Sequence, residues 1–237
     1  MATSNLAAGA NPFPPLKAFS VLNQSLGHLK FGMQATGHHK WGFVIFRTTY
    51  SNQKNWEMFM SRLREGVSSA LDIYGCTAEL EPFLQWTIIE NAESLDSATK
   101  GHVRDIFRNW VLERSVQRDG SGVDCDPRLL MSRVPRYRLC LMVDDACLES
   151  LVDETLSRAV VINGEVPDHV AARIDEHEDE PDSEDTLDES ELVPGSEDTQ
   201  FWMFMHIDYL VSLYQEASWR SEWEQMYRQP PSLYEGH

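Results

Sequence analysis

His206 and Asp208 are the first residues of this sequence whose types and spacing could support catalysis. They lie in the run FWMFMHID, which reads as a strand, and residues two apart on a strand point to the same face. Trp202 and Phe204 share that face, so it is aromatic and then polar. We predict a pocket in which His206 is a general base and Asp208 or Glu90 orients its ring. The alternative is a strand end that emerges into water, with His206 a hydrogen-bonded core histidine.

Arg47 and Glu90 form a second candidate pair. Arg47 is the only charged residue in the apolar run WGFVIFRTTY, and burying it without a partner would be costly. Glu90 ends the next predicted strand and is a suitable partner. Together they could clamp an anion or a carboxylate, and the alternative is a structural ion pair. The predicted catalytic set is therefore His206, Glu90 and Arg47.

Two further groups of polar residues are explained without chemistry. Asp144 and Asp145 follow a predicted strand, but a metal would need a third acid at a recognisable spacing, and helix capping accounts for the pair. The run His38-His39-Lys40 has no acidic or cysteine partner at such a spacing, so we expect a solvent-exposed loop. No metal and no cofactor is predicted.

Alternating apolar strands and amphipathic helices must position these residues. The clearest pair is a strand over 41–50 and a helix that Ser51 or Asn52 caps and that ends at Tyr74, before Gly75. Further strands are predicted over 84–91, 137–143, 159–162 and 201–207, and further helices over about 98–114, 146–156, 208–218 and 219–227. Residues 16–29 carry a weak helical pattern before a glycine-rich loop, and 115–135 read as a long loop.

This order predicts an α/β (α+β) fold with a ferredoxin-like β-α-β-β-α-β core, an inserted helix, and an added C-terminal strand and helices. A doubly wound parallel sheet is the alternative, although no glycine-rich phosphate loop follows any predicted strand. We expect one domain over 16–237, preceded by a disordered tail over 1–15.

The charge of the chain is concentrated in one segment. The formal net charge is −18, and residues 174–198 contain 13 acidic residues with no lysine or arginine. We expect a disordered acidic insert there, because like charges repel and few apolar residues are available to order it. No basic stripe is present to bind nucleic acid, and no apolar run is long enough for a membrane helix. The four cysteines form no C-x-x-C pair and are expected to be structural thiols of a cytoplasmic protein.

Several strings resemble a family of uncharacterised proteins of filamentous fungi. They are GFVIFRTTY, VRDIFRNWV, RYRLCLMVDD, WMFM and YRQPP, and the likeness spans about residues 41–231. The resemblance implies a fungal intracellular protein and supplies no catalytic residues. Such proteins are often encoded beside genes of specialised metabolism.

The predicted function is that of a small-molecule-binding or cofactor-independent tailoring protein, in the setting of fungal specialised metabolism. A pocket lined by Trp86, Trp202 and Phe204 would hold a small apolar metabolite, with the three candidate catalytic residues as polar anchors. The alternative is a non-catalytic protein-interaction module that uses an aromatic face and is steered by the acidic insert. Its partner would be another protein or a second copy of the chain, and neither nucleic acid nor a membrane is expected as a partner.

Overall fold

The structure, a computed structural model, describes residues 24–165, 201–219 and 223–236. The predicted tail over 1–15 and the predicted acidic insert over 174–198 lie outside the described residues. The described chain is a mixed α/β fold built on one six-stranded sheet. The strands are β1 (Val44–Arg47), β2 (Thr87–Ile89), β3 (Leu139–Val143), β4 (Arg158–Asn163), β5 (Trp202–His206) and β6 (Leu233–Tyr234).

The order of the strands in the sheet is β2-β1-β3-β4-β5-β6. The pairs β2–β1 and β1–β3 are parallel, β3–β4 and β4–β5 are antiparallel, and β5–β6 is parallel. The strands β1, β2, β3 and β5 therefore run in the same direction, and their carboxyl ends lie at the same end of the sheet.

Ten α-helices, besides short 3₁₀ turns, accompany the sheet in the described ranges. They are α1 (Gly27–Thr36), α2 (Gln53–Ile73), α3 (Thr77–Leu80), α4 (Ala92–Leu95), α5 (Lys100–Leu112), α6 (Val116–Asp119), α7 (Pro127–Arg133), α8 (Asp145–Glu149), α9 (Leu210–Ala217) and α10 (Trp223–Met226). No helix in the part of the chain that the structure describes is long and apolar enough to cross a membrane.

The two long crossover helices cover opposite faces of the sheet. Arg47 on β1 contacts Trp56 of α2, and the neighbouring Phe46 contacts Phe107 of α5. Successive residues of a strand point to opposite faces, so α2 and α5 lie on opposite sides of β1. This explains why Val44, Ile45 and Phe46 are all fully buried, as the continuous apolar run predicted.

The helix after β1 is confirmed in detail. Asn52 caps α2 by accepting a 3.0 Å hydrogen bond from the backbone N–H of Asn55. The helix ends at Ile73, and Gly75 follows with φ of 62°, the left-handed geometry that favours glycine.

The predicted ferredoxin-like core is not confirmed. β1 pairs in parallel with both β2 and β3, so β2 and β3 are not adjacent. They therefore do not form the β-hairpin that the β-α-β-β-α-β order requires of its second and third strands. The reason is that α5 is a full crossover between β2 and β3 rather than an insertion. The order and parallel pairing of β2, β1 and β3 resemble the doubly wound sheet, which was the alternative prediction.

Several local predictions were wrong. The glycine-rich stretch before His38 is helix α1, and the predicted loop over 115–135 contains α6 and α7, which Ser115 and Asp126 cap. The predicted helix over 146–156 ends at Glu149, and Val152 is 94% exposed instead of buried. After Glu149 the chain continues as a 3₁₀ turn over Ser150–Val152, and the Asp153 side chain then accepts the backbone N–H of Thr155 and starts a separate turn.

The run His38-His39-Lys40 is buried, not solvent-exposed as predicted. His38 is fully inaccessible, and its two neighbours are less than 10% exposed. The segment that carries α6 covers them, because Lys40 Nζ donates to the carbonyl of Arg118 at 3.0 Å and His38 Nδ1 lies 3.3 Å from the carbonyl of Ser121.

Candidate functional site

The three predicted catalytic residues do not converge on one site. Arg47 and Glu90 lie at the ends of neighbouring strands, β1 and β2, whereas His206 ends β5. At about 4.8 Å per strand, His206 is separated from Arg47 by about 14 Å and from Glu90 by about 19 Å. Glu90 therefore does not orient the ring of His206.

Arg47 and Glu90 pair with each other, as the sequence suggested. Arg47 Nη1 lies 3.4 Å from Glu90 Oε1, and Arg47 Nε donates to the carbonyl of Thr49 at 2.8 Å. The guanidinium also lies 4.6 Å from the ring centroid of Tyr50 and 4.9 Å from that of Trp56. These contacts satisfy the buried cation within the protein, which is the structural alternative rather than an open clamp for an anion.

His206 is nearly buried beside Asp208. Its Nδ1 accepts a 3.3 Å hydrogen bond from the backbone N–H of Asp208 and lies 3.7 Å from Asp208 Oδ2. A neutral imidazole that accepts at Nδ1 carries its proton on Nε2. In this tautomer His206 is a hydrogen-bond donor through Nε2, and the predicted general-base role needs the other tautomer.

The three aromatic residues of the predicted pocket lie near opposite edges of the sheet. Trp202 and Phe204 touch on β5, with ring centroids 5.2 Å apart. Trp86 precedes β2 and faces the guanidinium of Arg64 at 5.8 Å. They do not line one common pocket.

His206 and Asp208 do line a cavity, a groove that runs along α2. Its volume is about 480 Å³, and α2 contributes Arg62, Glu65, Gly66, Ser69, Ala70 and Ile73. Several of its polar groups are engaged by other protein groups. Arg62 Nη1 donates to the carbonyl of Leu151 at 3.0 Å, and Glu65 accepts from Ser61 at 2.8 Å.

A second cavity lies at the carboxyl ends of β1 and β3. The chain leaves β1 toward β2 and leaves β3 toward β4, in opposite directions along the sheet. In open α/β sheets, such divergence creates a crevice at which ligands bind. We call this cavity of about 210 Å³ the switch-point crevice, and it is lined by Thr48, Ser97, Ala98, Thr99, Lys100, Met142, Asp144, Asp145 and Ala146.

Thr48 joins the three segments that form the crevice. Its backbone N–H donates to the carbonyl of Val143 at 3.0 Å, and its hydroxyl donates to the same oxygen at 3.1 Å. Its carbonyl accepts the N–H of Ser97 at 2.9 Å. The ends of β1 and β3 and the start of the α5 segment are therefore held together.

Asp144 and Asp145 form one wall of the crevice. Asp144 caps α8, where Oδ1 accepts the N–H of Cys147 at 2.9 Å. Asp145 Oδ1 accepts hydrogen bonds from the hydroxyls of Thr49 and Ser51. Capping was predicted and is confirmed for Asp144, and the bonds to β1 fix the orientation of Asp145.

The residues that precede and begin α5 form the opposite wall. Ser97 has φ of 56°, a left-handed conformation that non-glycine residues seldom adopt. Thr99 caps α5 by accepting the N–H of His102 at 3.2 Å. The ammonium of Lys100 lies 4.5 Å from the ring centroid of Trp202.

Sequence reasoning found only half of this site. Asp144 and Asp145 were recognised at a strand end, but Ser97 to Lys100 were not selected. Their position depends on the crossover that brings the start of α5 over β1, and only the strand order shows it. The one local signal was the sequence Ser97-Ala98-Thr99 before an amphipathic helix, which indicates a cap.

Within the described ranges, no group of three or more histidine, cysteine or acidic residues could hold a metal ion. No family model, curated protein or solved structure matches the chain.

Proposed function

We propose that this chain is a small-molecule-binding protein whose ligand occupies the switch-point crevice. The observation that carries the proposal is the position of the cavity. It lies where the connections from β1 and β3 diverge along the sheet, between the start of α5 and the start of α8.

The lining of the crevice argues for a polar ligand. Six of its nine residues carry a hydroxyl, a carboxylate or an ammonium, and the other three are Ala98, Met142 and Ala146. This composition disfavours the apolar metabolite that the sequence suggested, since polar groups lose hydration without gaining partners when they meet an apolar ligand.

The crevice is a better candidate than the larger groove beside His206. The preference rests on its position at the ends of β1 and β3, because neutral groups hold charges in both cavities. In the groove, the carbonyl of Leu151 holds Arg62 and the hydroxyl of Ser61 holds Glu65. In the crevice, Asp144, Asp145 and Lys100 are held by hydroxyls, a backbone N–H and an aromatic ring, which orient the charges without neutralising them.

A narrower proposal is a cofactor-independent reaction in fungal specialised metabolism. Asp144 or Asp145 would then be the proton acceptor, because these carboxylates line the crevice and His206 does not.

The test uses the methyl group of Met142, which lines the crevice, as an NMR reporter. Protein labelled with ¹³C at the methionine methyl groups would be titrated with a library of small polar compounds. We expect at least one compound to shift the Met142 signal in a saturable way. The fully buried Met203 and Met205 should not respond, since neither lines the crevice. A library that leaves Met142 unmoved at millimolar concentrations would overturn the proposal.

A second candidate function is self-association through an exposed aromatic patch. Phe31 and Trp219 are 51% and 57% exposed, and the guanidinium of Arg133 lies 5.4 Å and 5.6 Å from their ring centroids. Aromatic and arginine side chains of this kind are enriched at protein interfaces. Sedimentation over a range of concentrations tests it: a dimer that Trp219→Ser dissociates supports it, and a monomer at all concentrations excludes it.

A further inference from the structure

We infer that the ligand of the switch-point crevice is a small zwitterion that carries both an ammonium and a carboxylate group. The inference rests on the proposed function and adds the chemical class of the ligand. It follows from the charges that line the cavity.

Three charged residues line one small cavity without pairing with one another. Asp144, Asp145 and Lys100 all line the crevice. Among the described residues, none of the three has a partner of opposite charge within 4.0 Å.

The contacts of each charged group explain why they stay apart. Asp145 is held by the hydroxyls of Thr49 and Ser51, and Asp144 is held by the first turn of α8. Lys100 is drawn to the ring of Trp202 on β5. Each carboxylate has a second oxygen that these bonds do not use, and a carboxylate can accept several hydrogen bonds.

A ligand with a single type of charge would satisfy only part of this cavity. An anion near Lys100 would also face two carboxylates, and a simple amine would leave the ammonium of Lys100 facing a second cation. A zwitterion places its ammonium against Asp144 and Asp145 and its carboxylate toward Lys100. The fixed positions of the protein charges reduce the entropy that binding must overcome.

The experiment compares probes of equal size. The ω-amino acids from glycine to 5-aminopentanoate would be titrated against the protein with ¹³C-labelled methionine methyl groups. The best of them would then be compared with the amine, the carboxylate and the neutral amide of the same chain length. We expect the amino acid to bind at least ten times more tightly than each of the three analogues.

Two variants separate the contributions of the two walls. Lys100→Met should reduce the affinity for the amino acid about to that of the simple amine. The double variant Asp144→Asn, Asp145→Asn should reduce it about to that of the simple carboxylate, and asparagine at position 144 still caps α8. Lys54→Met, which removes an exposed lysine from α2, should change neither affinity. The Met203 and Met205 signals report whether each variant is folded.

The outcomes distinguish the two proposals. If single-charge or neutral probes shift Met142 as strongly as the amino acid, the zwitterion inference is wrong and the crevice remains a binding site. If none of these probes and no compound of the wider library shifts Met142, the proposed function fails and the inference fails with it.

Discussion

The hydroxyl of Tyr137 lies 3.4 Å from Nε2 of His38, in a site from which water is fully excluded at the histidine. Lys40, Arg136 and Asp119 are the charged groups that act on this histidine. Burial, and after it the charge of Arg136, lower the pKa of His38 from 6.5 to about 4. Burial also raises the pKa of Tyr137 far above its usual range, so both groups are neutral at pH 7.

His38 makes stability depend on pH in the acid range. Above pH 6.5 it is neutral in both the folded and the unfolded chain, so it has no effect. Between pH 6.5 and about 4 the unfolded chain binds a proton that the folded chain does not, and the free energy of unfolding falls as the pH falls. At about 1.4 kcal/mol per pKa unit, the loss from this group approaches about 3 kcal/mol near pH 4. Urea unfolding at several pH values would measure it.

In the His38→Gln variant, the free energy of unfolding should depend less steeply on pH between pH 6.5 and 4. The matched control is His102→Gln, which replaces an exposed histidine of α5 and should leave the slope unchanged. Equal slopes for the wild type and His38→Gln would show that His38 is protonated as easily in the folded chain as in the unfolded one.

Two glycines of α1 should differ in how substitution by alanine changes the stability of the fold. A Cβ at Gly32 would lie only 2.4 Å from the carbonyl oxygen of Arg133, so Gly32→Ala must separate α1 from α7. We expect a loss of about 1 to 3 kcal/mol in the free energy of unfolding. Gly27→Ala meets nothing within 4 Å and should be neutral or stabilise by about 0.5 to 1 kcal/mol. Thermal unfolding of the two variants checks this, and equal melting temperatures would contradict the packing of α1 on α7.

Gly32 also shows why part of the fold could not be predicted from the sequence. Helix α2 was predictable because its apolar stripe, its cap at Asn52 and Gly75 all agree. In α1 the glycine that argued against a helix is there because α7 approaches closely, and that contact is tertiary. The same holds for the site: Asp144 and Asp145 are adjacent in sequence, but Lys100 lines the same cavity only because of the crossover from β2 to β3.

Replacing Arg47 should destabilise the fold more than replacing its partner Glu90. Glu90 is about half exposed, so Glu90→Gln should cost less than about 1 kcal/mol. Arg47→Met should cost about 2 kcal/mol, because it removes the bond to Thr49 and the contacts with Tyr50 and Trp56. Urea unfolding measures both. Either variant that keeps its stability but loses ligand binding would restore the predicted role of this pair as a polar anchor.

Filling the switch-point crevice should block the ligand. Ala146 lines the cavity, so Ala146→Leu should reduce the affinity of any probe that shifts Met142 by at least tenfold. Ala78→Leu places the same side chain on an exposed position of α3 and should leave that affinity unchanged. Titration of both variants with the same probe measures the difference, and equal affinities would place the ligand elsewhere.

The four thiols should differ sharply in their reactivity. Cys76, Cys140 and Cys147 are fully buried, whereas Cys125 is only half-buried. Burial, with Asp124 and Asp126, raises the pKa of Cys125, so even this thiol should react slowly. We expect iodoacetamide at pH 8 to add one group to the folded protein and four groups in urea. Mass spectrometry counts them, and Cys125→Ser should react only after unfolding. Rapid labelling of Cys140 in the folded protein would mean that β3 opens readily to solvent, which would contradict its place at the centre of the sheet.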